Sequence, residues 1–224
     1  MNEESKSAFG RIEEEMNEEI HPLYRKLREN LREIGIVLGA IILIAASITG
    51  YKYYQQHTIK STQQEFEKIL TSTQGKNTVQ KLDNLLSTAP SALKQPILME
   101  ACKRSMNQEM YSRAAGYWTQ LFETTSDPNI EVIAKLGKAK SLRLQDKNQE
   151  AMQVLQDLTG EAPKAFKKNI NFELAVVAEK QEDWQKALSA YQNLLANSEL
   201  GGKRQQYIHY KVSKIKQKLN SKKS

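Results

Sequence analysis

Three stretches of this chain share one spacing. In Ala114-x3-Trp118-x2-Leu121, Ala151-x3-Leu155-x2-Leu158 and Ala187-x3-Tyr191-x2-Leu194, a small residue is followed four positions later by a large one and then, after three more, by a leucine. The small residues stand 37 and 36 positions apart. A period of that length means stacked copies of one supersecondary unit, each covering its neighbour's apolar face. Thr78, Leu82 and Leu85 form a weaker copy 36 positions earlier. Twelve residues before each small residue lies a second anchor point: Phe66, Cys102, Ala139 and Ala175. Turn-forming stretches such as "TQGKN", "LQDKNQ" and "KQEDW" separate the two anchors, and Pro90, Pro128 and Pro163 fall near the ends of the second helices. Each unit therefore reads as helix, short turn, helix. Small residues at both anchors permit close approach, while Trp118, Leu155 and Tyr191 fill the space to the next pair.

The stretch "EDWQKALSAYQNLLANS", with aromatic residues at Tyr111 and Trp184 and an alanine four residues before the bulky position, resembles the tetratricopeptide repeat. The resemblance implies an all-α chain whose repeats form a helical solenoid of about four pairs. A solenoid needs a last helix with one polar face. Ile208, Val212, Ile215 and Leu219 make one apolar stripe there, with the lysines at 211, 214, 216 and 218 mostly outside it, which predicts a cap helix.

A different pattern precedes the repeats. Ile34 to Gly50 is an uncharged run of 17 residues, which as a helix extends roughly 26 Å, and Tyr51, Tyr53 and Tyr54 complete a span at headgroup level. Nearly five helical turns without a polar face do not suit a soluble core helix. The 33 residues ahead of it and its length argue against a cleaved signal peptide, despite the small residues Ala45, Ala46 and Ser47. We read an uncleaved signal anchor. Arg25, Lys26, Arg28 and Arg32 precede it and only Lys52 and Lys60 follow at similar distance, so the N-terminus is expected in the cytoplasm and the large C-terminal part outside it. Gly35-x3-Gly39 and Ala46-x3-Gly50 are two pairs of small residues and candidates for close helix packing in the membrane. The resulting organisation is a cytoplasmic segment (1–33), the anchor (34–54), the repeat domain (55–202) and a basic cap helix and tail (203–224).

The net charge of +7 is unevenly spread: residues 1–33 carry six Lys and Arg against nine Asp and Glu, and residues 203–224 carry eight basic residues and no acidic one. Within the first segment, Ile12, Met16 and Ile20 recur before Pro22, and Leu23, Leu27 and Leu31 after it, the latter as a juxtamembrane amphipathic helix. Catalytic constellations do not emerge. His21, His57 and His209 are scattered, and "LGGKRQ" around Gly201 lacks the earlier glycine and the following Ser or Thr of a phosphate-binding loop. Cys102 sits at a helix-packing anchor and is expected to be a buried small residue rather than a reactive thiol. We expect no enzyme, cofactor, metal, small-molecule substrate or nucleic-acid partner.

Anchor and repeats together, with "GYKYYQQH" closing the span (Gly50, Tyr51, Lys52, Tyr54) and the helix "STQQEFEKIL" directly after it, resemble the bacterial ancillary subunit family of the SecYEG translocon. That resemblance implies a single-pass protein of the bacterial inner membrane with a periplasmic domain that assists newly exported chains as chaperone or scaffold. Its implied partners are SecYEG, unfolded exported proteins and periplasmic chaperones. The alternative is a structural adaptor of another cell-envelope complex using the same groove. In tetratricopeptide folds the first helix of each pair lines that groove. Carried onto this chain, its lining is Met99 and Lys103, Leu136 and Lys140, and Phe172 and Val176, with Met106 and Arg143 at its border. Methionine, leucine and phenylalanine offer adaptable apolar contact, and the cations favour carboxylates.

Overall fold

A computed structural model describes residues 31–71, 77–197 and 201–221. The amphipathic patterns expected before Leu31, most of the "TQGKN" turn and the last two lysines lie outside those residues. Among the described residues the chain is helical, without a strand. Its contacts divide it into two compact units, with the boundary between Thr58 and Ile59.

The first helix, α1 (Leu31–Thr71), runs unbroken past position 54 into the repeats. In its N-terminal part Ile36, Ile42 and Leu43 are each more than 60% exposed. Ser47 and Thr49 donate their hydroxyls to the carbonyls of Leu43 and Ala45, both at 2.8 Å, so the helix itself satisfies its polar side chains. Apart from the neighbouring backbone of α1 itself, no described atom comes within 4 Å of a Cβ placed on Gly35, Gly39 or Gly50.

Beyond Ile59, short helices follow in pairs. The C-terminal part of α1 contributes Phe66 and Ile69 to the same core cluster as α2 (Thr78–Thr88), and then α3 (Ser91–Asn107) pairs with α4 (Tyr111–Thr124), α5 (Pro128–Leu144) with α6 (Asn148–Glu161), and α7 (Lys164–Lys180) with α8 (Trp184–Asn197). The small residues anticipated at the crossing points, Cys102 and Ala114, Ala139 and Ala151, Ala175 and Ala187, are all 0% exposed. Three hairpin turns close identically. Glu109, Asp146 and Glu182 adopt left-handed backbone at φ 59°, 59° and 56°. The next residue's N–H then returns to the helix: Met110 to Ser105 O at 2.8 Å, Lys147 to Leu142 O at 3.0 Å and Asp183 to Ala178 O at 2.9 Å. This is the hydrogen bond that commonly terminates a helix through a left-handed residue. Prolines open the first helices rather than merely ending the second: Pro90 and Pro163 cap α3 and α7, and Pro128 is the first residue of α5, where a missing N–H costs nothing. Asp127 adds a side-chain cap to α5, accepting from Asn129 N at 2.8 Å.

Helix α5 has apolar residues on two faces and so joins two core clusters. Ile130 and Ala134 belong to the cluster reaching back through Leu121, Leu98 and Leu82 to Ile69, whereas Val132, Ala139 and Leu142 belong to the one reaching forward through Leu155 and Tyr191. The forward cluster ends under α9 (Gly202–Ser221), which buries Ile208 and Ile215 and packs Val212 and Leu219 beside them. The cap stripe read from the sequence is thus the buried face of α9.

Candidate functional site

Along a repeat array, the first helices share one face, and here α5 packs directly on α7 in addition to its sequence neighbours. Met99 on α3 is 38% exposed, and Lys103 and Lys140 are exposed. Lys103 makes one 3.6 Å contact with Glu100 on its own helix, too open to bind the charge strongly. Leu136, Phe172 and Val176 are half-buried, the first two lying against the core. Phe172 is further covered by the guanidinium of Arg204 from α9, 5.1 Å from its ring centre.

The two expected border residues do something different from each other's neighbours on that face. Met106, Arg143 and Glu179 occupy equivalent positions, four residues after the small anchor of their helix; the first two reach the next first helix and Glu179 reaches the cap helix. The Met106 sulfur accepts from Ser141 Oγ at 3.2 Å. Arg143 Nε donates to Glu173 Oε2 at 3.0 Å, with both side chains mostly covered. Glu179 takes the ammonium of Lys211 from α9. Arg104 completes the series by donating to the Leu70 carbonyl of α1 at 3.3 Å. These residues knit successive first helices together, and the Arg143 charge is already matched. Sequence reasoning missed Glu173 and Glu179 as partners, since residues 30 and 32 positions apart carry no local signature of pairing. The open part of the face is therefore Met99, Lys103 and Lys140, flanked by Leu136 and Val176.

Polar side chains inside the repeats are tuned for packing. Burial pushes the Cys102 thiol far above its ordinary range, so it stays protonated and unreactive. Burial, reinforced by a 3.0 Å hydrogen bond donated to Asp83 Oδ1, raises the Tyr117 phenol to about 12. Burial alone would lower Lys211, but its hydrogen bond to Glu179 and that carboxylate's charge outweigh it and hold the ammonium above the lysine range. Among the described residues, no three His, Cys, Asp or Glu side chains converge as a metal site.

The fold defines a helical repeat protein of the kind that binds other polypeptides, and among the described residues one N-terminal helix is long and apolar enough to cross a membrane. The family described as tetratricopeptide repeat-like domain matches residues 27–217, and the chain belongs to it. That match takes in the apolar helix as well as the repeats. No curated protein and no solved structure matched the chain.

Proposed function

We propose that this chain is a single-pass protein of the bacterial inner membrane whose periplasmic repeats accompany the Sec translocon and hold newly exported polypeptides. The observation that carries the anchor is that none of the most apolar window of α1 is buried within the protein, whereas a core helix would be largely covered. The basic residues Arg25, Lys26, Arg28 and Arg32 ahead of it support a cytoplasmic N-terminus. For binding, Met99 supplies an adaptable apolar contact one turn from the open cation Lys103 on α3, and α5 adds the open cation Lys140. Such a surface suits extended segments of mixed sequence and disfavours strongly basic ones. In the membrane, the small residues Gly35, Gly39, Ala46 and Gly50 are the proposed packing face for a translocon helix, a reading supported by the open space beside the three glycines.

Mild-detergent co-purification tests this reading. SecY is expected to be recovered with the full chain, and recovery is expected to fall when Gly39 and Gly50 are replaced by leucine while insertion persists. Stoichiometric recovery of a different envelope protein, without SecY, would establish the adaptor alternative instead.

A further inference from the structure

We infer that the outward face of the cap helix α9 is a docking surface for anionic phospholipid. Lys203, Tyr207, Tyr210 and Lys214 follow one another at spacings of four, three and four, which aligns them as one stripe of the helix. The stripe points away from the buried Ile208 and Ile215, and all four of its residues are exposed. Tyr207 and Tyr210, at 44% and 57% exposure, are the largest exposed aromatic side chains described after Thr58. Each lies beneath a lysine of the next turn, Lys211 at 5.8 Å from the Tyr207 ring centre and Lys214 at 5.5 Å from that of Tyr210.

The chemistry selects the partner. Residues 203–224 contain no carboxylate, so nothing on this helix neutralises the face. Phenol rings prefer the boundary between headgroups and acyl chains, with the ring in the apolar zone and the hydroxyl in the polar one. Lysines beside them suit phosphate groups, and a fluid lipid surface needs no fixed acceptor geometry. The inner cations of α9 are committed elsewhere: Arg204 lies over Phe172, Lys211 pairs with Glu179, and Lys218 lies 3.9 Å from the Trp184 ring centre. The helix thus has a cationic, aromatic surface left over after its capping role is fulfilled. This inference rests on the anchor reading in one respect, because a single membrane helix in the same chain keeps lipid at high local concentration.

Spin-label accessibility on the full chain tests it. A nitroxide at Gln206→Cys, in a Cys102→Ala background that copies the alanines of the other repeats, is followed after reconstitution into nanodiscs. Discs of phosphatidylcholine alone are compared with discs that also contain phosphatidylglycerol. Flotation with lipid in high salt reports the anchor separately. The expected result is that phosphatidylglycerol shifts the label from water-soluble toward oxygen-accessible surroundings, and that salt reverses the shift. Each of Lys203→Gln and Lys214→Gln should weaken the docked state about fivefold, with helicity unchanged. A label equally water-accessible in both discs would overturn the inference, as would docking that survives both substitutions. Protection that appears only when an acidic protein is added would also overturn it.

Discussion

The indole of Trp118 lies against Gly137 of the next helix pair so closely that a Cβ there would fall 2.3 Å from Trp118 Cε2. The large residue of one repeat is seated on a bare backbone in the next. Gly137→Ala is therefore expected to destabilise the repeats by about 1–3 kcal/mol, since the rigid ring has to move. Urea unfolding of residues 59–224 checks this, and Trp118→Leu in the same chain should recover part of the loss. An unchanged midpoint would show that the ring moves freely.

The left-handed turn residues give the opposite sign. Glu182 holds φ 56° without the freedom of a glycine, so Glu182→Gly removes backbone strain and should stabilise the unit by about 0.5–1 kcal/mol. Glu109→Gly should act likewise, and because the two turns are far apart the gains should add. A raised urea midpoint for both single variants is the expected measurement.

Alkaline pH should weaken the fold through Tyr117. Its phenol is raised from the ordinary 10 to about 12 by burial and then by Asp83, so the folded state resists deprotonation more than the unfolded chain does. The stabilisation is complete below about pH 10 and is lost as pH rises toward 12. Tyr191 is shifted upward as well, by burial first and then by Glu179, and it adds to the same decline. Tyr117→Phe should cost about 1 kcal/mol at neutral pH and flatten part of the alkaline slope.

Removing the cap should expose the array from its end. Ile208, on the inner face of α9, is 0% exposed, and Ile208→Ala is expected to cost about 3 kcal/mol. Amide hydrogen exchange should then rise first in α8 and α9 rather than uniformly, because stability in a repeat array depends on nearest neighbours.

Much of this architecture was legible because repetition makes the same physical demand several times. Cys102, Ala139 and Ala175 had to be small for the helices of each pair to approach, and the three occur at the matching place. The cap stripe was legible for the same reason: Ile208, Val212, Ile215 and Leu219 recur at helical spacing. Contacts between first helices were not legible. Arg143 reads as a free groove cation until Glu173, on another helix, is placed beside it. Gly137 gave no signal either, because its role depends on where Trp118 lands. The turns concealed their left-handed residue, since Glu109, Asp146 and Glu182 stand where glycine would have announced it.

The central claim is that the first-helix face holds exported polypeptide at the translocon. Site-specific photocrosslinking in living bacteria tests it most directly, with a photoreactive amino acid placed in turn at Met99, at Lys140 and at Gln153, which is exposed on the second helix α6. The account predicts that Met99 and Lys140 crosslink to newly exported chains or to SecY, and that Gln153 does not. Crosslinks from Gln153 alone, or to one unrelated envelope protein from all three positions, would contradict it.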